Sequence, residues 1–326
     1  MIQRRQALTA VGFSIGSFAM CSAFGQEAYP NKPVKIIIPY AAGGGADAAA
    51  RILGVALTKE LGQPFVIEAK TGANTAIAAA YIAKAPADGY QILLTGSATM
   101  ALNPLMMDKL PYDPVADFAP IGLMSTSPFF LVASAELGVN TLDELLKKAR
   151  EKPGEIAYAS NGVGGVIHLG MELLAQRANV KFNHVPYRGF APAMPDMLSG
   201  RTPVSMMDLA SIGGHAKSGK IKILAVTTRT RSRFMPDVPT IAELGFPDFN
   251  IESWFALYAP AKTPPAIVAL LNERIRKWAA DPEARELMAG IGMQPEGSGT
   301  DYVKERFLAE QKSFAPLVRA ANIKLE

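Results

Sequence analysis
From Tyr29 onward, short β-branched apolar runs alternate with longer segments whose apolar positions recur every three to four residues. "VKIIIPY", starting at Val34, reads as a buried strand because it is short, β-branched and bounded by prolines and glycines. "ADAAARILGVALTKELG" follows as a helix closed by Gly62. "PFVIEAK" is a second strand, "NTAIAAAYIAKAPADG" a second helix with Asn74 or Thr75 as its N-cap, and "YQILLTGS" a third strand. Such alternation predicts a mostly parallel sheet with helices on both faces.

The pattern then restarts. "FFLVASAEL" is strand-like, and "TLDELLKKAREKPG" is a helix with a Thr141/Glu144 capping box. "EIAYASNGVGG" is a strand running into a glycine loop, and "VIHLGMELLAQRAN" is the helix behind it. "VKFNHVPY", "TPVSMMD" and "KIKILAVTT" read as strands, with "APAMPDMLSG" helical between the first two. "NIESWFALYAP" is a strand leading back, whose Trp254, Phe255 and Tyr258 are expected in core or hinge packing. Two further helices and a long amphipathic C-terminal helix complete the chain. The pattern predicts an α/β protein of two lobes, 27–128 plus 250–304 and 129–249 plus 305–326, with a ligand cleft between them.

Strand, glycine-rich loop and helix occur together twice, at Ile36–Arg51 and again at Ile156–Gln176. Glycines permit positive φ and close backbone approach, and the helix behind them presents unpaired N–H groups at a positive dipole end. Both loops are therefore candidate anion cradles at strand C-termini, where open α/β sheets bind ligands. In the first, Gly43-x-Gly45-x-x-Ala48 satisfies a relaxed dinucleotide fingerprint, but Pro39 to Ala42 separate the glycines from the strand. Asp47 reads as a cap or dipole partner rather than a catalytic acid. In the second, Ser160, Asn161 and the N–H groups from Gly162 to Val166 face the same task. Ser97 and Ala98, in "TGSATM", offer a hydroxyl and an N–H group at the end of a third strand. Arg188 is a candidate bidentate partner for an anion. His168 is expected to be a structural histidine bonded to a nearby loop.

Composition changes this picture in three ways. Hydrophobic residues make up 49% of the 326 and charged residues 19%, which excludes a disordered chain or a coiled coil. The N-terminus carries Arg4-Arg5, an uncharged run from Ala7 to Gly25 and small residues before Gln26, the pattern of a cleaved secretory signal over 1–26 and hence of a periplasmic protein. An uncleaved anchor, twin-arginine export and lipidation of Cys21 are the alternatives. Export argues against a nicotinamide cofactor. Cys21 is the one cysteine, so no thiolate site or disulfide is expected in the mature chain. Three scattered histidines give no metal spacing, so neither metal nor cofactor is expected. No G-x-S-x-G elbow frames Ser97 or Ser160, which argues against a secreted hydrolase. The formal charge of +4, two units of it from Arg4 and Arg5, fits small acidic ligands and shows no nucleic-acid stripe.

Several stretches together resemble the Bug-type extracytoplasmic solute receptors of tripartite tricarboxylate transporters: "YPNKPVKIIIPYAAGGGAD", "APADGYQILL", "LNPLMMDKLPYDPVADFAPIGL", "KPGEIAYASNGVGGVIHL", "HVPYRGFAPAMPDMLSG", "ILAVTTRTRSRFMPDVPTIAELG" and "ESWFALYAPAKTPPAIVALLNERI". The resemblance runs from about Tyr29 to the C-terminus. It implies a type II periplasmic-binding-protein fold whose lobes close on a small organic acid, in a monomer that delivers it to a membrane permease without covalent chemistry. A sensor passing its ligand-bound form to another membrane partner is the alternative. By position, the resemblance puts Tyr40, Ala41, Gly43, Gly44, Gly45, Asp47, Ser97, Ala98, Ser160, Asn161, Gly164, Gly165, Val166, Tyr187 and Asp208 at the ligand. The chain departs from its relatives at Asn74-Thr75, Met100, Gly165 to Ile167 and Ser205. Fewer hydroxyls leave binding at the second loop to backbone N–H groups. Met100, Val166 and Ile167 would make the cleft more apolar, favouring aromatic or longer aliphatic carboxylates over citrate. A β-branched residue at Gly44 or Gly164 is expected to block the ligand while sparing the fold.

Overall fold
The structure is a computed structural model that describes residues 29–187, 189–320 and 323–325. The segment 1–26 expected to be a secretory signal, with Cys21, and Arg188 lie outside the described residues. The chain opens with β1 (Val34–Ile38), α1 (Gly45–Leu61), β2 (Phe65–Ala69), α2 (Ala76–Ala83) and β3 (Gln91–Gly96), the predicted alternation. Gly62 adopts φ 72° and ends α1 as a left-handed cap. A single turn, α3 (Asn103–Met106), then leads into β4 (Phe118–Pro128), which the hydrophobic pattern did not reveal.

The second unit comprises β5 (Phe130–Ser134), α4 (Leu142–Glu151), β6 (Ala157–Ser160), α5 (Val166–Ala178), β7 (Asn183–Pro186), α6 (Phe190–Leu198), β8 (Val204–Met207), α7 (Leu209–Lys217) and β9 (Ile221–Val226). The chain returns through β10 (Glu252–Pro260) to α8 (Pro265–Ala280), α9 (Pro282–Gly290), β11 (Gln294–Ser298) and α10 (Thr300–Ala320). No helix among the described residues is long and apolar enough to cross a membrane.

Among the described residues the strands form two sheets, in the orders β11-β4-β10-β3-β1-β2 and β7-β6-β8-β5-β9. Strands β1, β2 and β3 pair in parallel, while β10 lies antiparallel between β3 and β4. In the second sheet β6, β7 and β8 run parallel, and β5 is the reversed strand between β8 and β9. Each sheet is thus mixed: a parallel core with a reversed strand from the crossing segments inserted into it. This is the type II periplasmic-binding-protein arrangement.

The chain crosses between sheets at 128–130 and again at 227–251, and Thr227 fastens the two crossings together. Its N–H donates to Phe129 O at 3.0 Å, and its carbonyl accepts from Ile251 N at 2.9 Å. Its hydroxyl lies 2.9 Å from Phe129 O and 2.5 Å from Ile251 O, so one proton serves two carbonyls. One hydrophobic core is continuous across the sheets, from Ile37 and Leu93 in the first to Tyr158 and Val204 in the second. Helix α10 buries Val303, Phe307, Phe314 and Leu317 in that core. It packs against β4 and α3 as well as against α5.

Candidate functional site
The two glycine loops have the same construction. Helix α1 starts from Gly44 (φ −84°, ψ 171°) and α5 from Gly165 (φ −71°, ψ 163°), both extended and neither capped by a side chain. The residue before each is a glycine at positive φ, Gly43 at 85° and Gly164 at 72°. In each loop the third helical residue reaches back four positions to that glycine's N–H. Asp47 Oδ2 accepts from Gly43 N at 3.0 Å, and His168 Nδ1 accepts from Gly164 N at 3.0 Å. This is a capping box shifted by one residue. The loop is tied down from behind, and the first-turn N–H groups stay free of any side-chain cap. Helices α4, α7 and α9, by contrast, are capped by Thr141, Asp208 and Asp281.

The side chains behind the two loops differ in charge. Asp47 is buried and accepts from Arg51 Nε at 3.1 Å; its other oxygen lies 3.0 Å from Arg51 Nη2 without aligned hydrogen-bond geometry. The Arg51 hydrogen bond holds the Asp47 carboxyl below the usual range, so it stays ionised. His168 instead stacks on His184, ring centroids 3.9 Å apart and planes 10° from parallel. Tyr158 stacks on His184 at 4.9 Å and donates its hydroxyl to Glu172 at 2.7 Å. Burial pushes both imidazoles down to about 4, and the neighbouring ring contributes for His184. Both are neutral at physiological pH. His184 Nε2 lies 2.7 Å from Ser160 Oγ, which also meets Gly162 O at 3.0 Å.

Around the loops the lobes touch on two flanks. A Cβ on Gly164 would meet Met106 Sδ at 2.7 Å, so the second loop rests on α3 of the first lobe. A Cβ on Gly292 would meet Leu209 Cβ at 3.0 Å, so the turn before β11 rests on α7 beside Asp208. Met293, next to Gly292, would contact a Cβ on Gly45 at 2.9 Å, which links that flank to the first loop.

Behind Ser97 lies a polar cluster. The Ser97 hydroxyl donates to Glu310 Oε1 at 2.6 Å, and Trp254 Nε1 donates to Glu310 Oε2 at 2.8 Å. Burial pushes the Glu310 carboxyl up, and these two donors pull it back. Arg306, one turn earlier on α10, pairs with Glu252 at 2.8 Å.

A sequence model described as the tripartite tricarboxylate transporter family receptor matches residues 49–323. The chain belongs to this receptor family. It is 33% identical over 320 residues to Protein BugT of Bordetella pertussis, covering 98% of each chain. The solved structure of R. palustris Rpa4515 with adipate superposes with TM-score 0.84 at 32% identity, covering 91% of this chain and 99% of that one. The periplasmic binding protein BugD gives TM-score 0.79 at 30% identity, covering 91% and 99%. MatC from Rhodopseudomonas palustris with bound malate gives TM-score 0.79 at 28% identity, covering 89% and 100%. Family and fold are those of solute-binding receptors, not of enzymes.

Within this receptor fold, Ala41, Gly43 and Gly44 are exposed on the first loop, and Gly45 is half-buried. Tyr40 is half-buried and packs edge-on against Phe255 at 5.5 Å; burial raises its hydroxyl to about 12, so it stays protonated. On the second loop Asn161 is exposed, Gly165 and Val166 are half-buried, and Gly164 is buried. Ser160 is fully buried and Ser97 nearly so, while Ala98 beside it is half-buried. Tyr187 donates its hydroxyl to Asp196 at 2.6 Å, and its N–H donates to Ser160 O at 3.0 Å. Asp208 caps α7 by accepting from Ser211 N at 2.8 Å.

Three expectations need correction. Met100 and Ile167 are fully buried in the continuous core, so neither presents a free apolar wall. Gly164 is required by its own backbone angle and by Met106, so substitution there strains the fold itself. Thr75 does precede α2, but at φ 78° and without a side-chain cap; its hydroxyl instead accepts from Thr99 at 2.8 Å. Sequence reasoning missed Glu310 and the His168–His184 pair. A buried acid opposite Ser97 leaves no local trace, because the partners are 213 residues apart.

Proposed function
We propose that the protein is a periplasmic receptor that captures a small dicarboxylate between the loops at 40–47 and 160–166. It then presents that ligand to the membrane permease of a tripartite tricarboxylate transporter. The observation that carries this reading is the matched pair of uncapped helix N-termini behind positive-φ glycines. Such termini favour negative charge by dipole and by N–H donation, and two of them suit a ligand with a carboxylate at each end. The adipate of one relative's structure and the malate of another's belong to that ligand class. Lobe 1 (27–128 plus 250–304) and lobe 2 (129–249 plus 305–326) turn about the crossings that Thr227 joins. The receptor works as a monomer, exported by its leader, and needs no cofactor.

The 2.7 Å approach of Ser160 to His184 is the geometry of a nucleophile and its base. Ser160 has no exposed surface, however, and its hydroxyl is occupied at Gly162. Hydrolysis therefore gains no support from the pair. A thermal-shift screen of mono-, di- and tricarboxylates, aromatic ones included, tests the reading. A dicarboxylate at a hundred times its Kd should stabilise the fold by about 2.7 kcal/mol and be recovered unchanged. No shift with any acid, or turnover of the acid, contradicts it.

A further inference from the structure
The shared construction of the loops makes one difference between them informative. In the first, the side chain that accepts the glycine N–H is a carboxylate whose charge Arg51 balances. In the second, it is an imidazole stacked on another imidazole, and each ring holds one end of the loop. His168 Nδ1 holds Gly164 N at 3.0 Å, and His184 Nε2 meets Ser160 Oγ at 2.7 Å. We propose that His168 and His184 are the positioning residues of the second jaw: a stacked, uncharged pair that fixes the α5 N-terminus for the ligand, as Asp47 fixes that of α1. The proposal rests on the receptor reading above and names what orders one half of its site.

The chemistry follows from the hydrogen-bond directions. A ring nitrogen that accepts a backbone N–H carries no proton, so His168 is the Nε2–H tautomer. Protonating it would place an N–H against the Gly164 N–H and release the loop. Protonating either ring would also set a cation against its stacked neighbour 3.9 Å away. The groups facing the pair are few. Strand β6 supplies Tyr158 and Ser160, β7 supplies His184 itself, the loop supplies Gly164 N, and α5 supplies Glu172. Glu172 is the one acid among them and is already bonded by Tyr158. The Gly164 tie of the second jaw is therefore lost when His168 is protonated, whereas the tie of the first is made by a carboxylate that its Arg51 bond holds below the usual range.

Two variants separate positioning from packing. His168→Asn keeps an acceptor near the Nδ1 position and cannot titrate; His168→Leu fills space and accepts nothing. In the ligand-free protein the Gly164 amide should exchange about tenfold faster in His168→Leu, the worth of one hydrogen bond, and near the wild-type rate in His168→Asn. Amides of α4 serve as the control for global opening. Nitrogen-15 spectra of the wild-type imidazoles at neutral pH should show His168 as the Nε2–H tautomer. In calorimetry with adipate, His168→Leu should bind at least several-fold more weakly than His168→Asn. The weakening of wild-type binding on acidification should exceed that of His168→Asn, whose curve carries only the titrations of the ligand and of His184. Unchanged Gly164 exchange in His168→Leu, or an Nδ1–H tautomer, overturns the proposal. If adipate binds no form of the protein, the ligand assignment fails, and the two ligand-free measurements still decide the role of the histidines.

Discussion

Single glycines in the two jaws do different work. At Gly44 the backbone is in a region open to any residue, and a Cβ would find only Ala41 O at 3.7 Å. Gly44→Val should fold with an almost unchanged melting temperature and bind adipate at least tenfold more weakly, because the branched side chain occupies the approach to the α1 N-terminus. Gly164→Val meets Met106 and a positive φ together, so its melting temperature should fall clearly. Equal affinity in Gly44→Val and wild type would make the first loop a packing turn. The histidines give a pH dependence whose sign is fixed. Burial lowers both from 6.5 to about 4, so over that window the unfolded chain takes up protons that the fold refuses. Their contribution to stability is complete above pH 6.5 and is lost as pH falls towards 4. Melting temperature against pH should therefore drop across this window, less steeply in His168→Asn; equal slopes would show that His168 does not titrate in it. Asp47 was legible as a cap because acids at the third helical position bond backwards, and His168 as a loop-bonding histidine. The Glu310–Ser97 bond was not, since nothing local marks an acid that meets its partner through the tertiary fold.

At the scale of elements, the strands that alternate cleanly with helices were readable, and the crossing strand β4 was not. Pro120, Gly122 and Pro128 interrupt its apolar run, and these residues ordinarily argue against a central strand. They are tolerated because β4 is irregular where it pairs: its register with β10 shifts twice. Strand β11 was hidden in the same way by Pro295 and Gly297, and α7 by Gly213-Gly214. The crossings predict a stability effect of their own. Thr227→Val keeps the shape at the junction and removes the hydroxyl shared by Phe129 O and Ile251 O, which should cost about 1–2 kcal/mol in urea unfolding. A loss near zero would mean that the backbone bonds alone hold the crossings. Helix α10 makes a second prediction. Phe307 is 1% exposed within the core common to both sheets, so Phe307→Ala should cost about 3–5 kcal/mol and lower a single calorimetric transition. Two transitions, only one of them shifted, would show that α10 serves one lobe.

For the whole molecule, sequence order and sheet order together support placing the proposed site between the lobes. Each glycine loop leaves the C-terminal end of a parallel strand, β1 or β6, and the antiparallel insertions β10 and β5 tie the two sheets to the shared crossings. Two cavities of about 430 and 370 Å³ lie elsewhere: one between α8 and the start of α10, the other between residues 228–234 and β11. Neither is lined by the jaw loops. Backbone donors at two helix ends make the proposed grip, and the lobes meet beside them where Gly164 faces Met106 and Gly292 faces Leu209. In the proposed function both jaws grip one dicarboxylate and return it unchanged. Isothermal titration of the protein with adipate, alongside its monoester, decides between one jaw and two. The expected result is saturable one-to-one binding of adipate, at least tenfold weaker binding of the monoester because one jaw then faces no carboxylate charge, and no chemical change in either. Equal affinity for diacid and monoester, or no binding of any carboxylate, would contradict it.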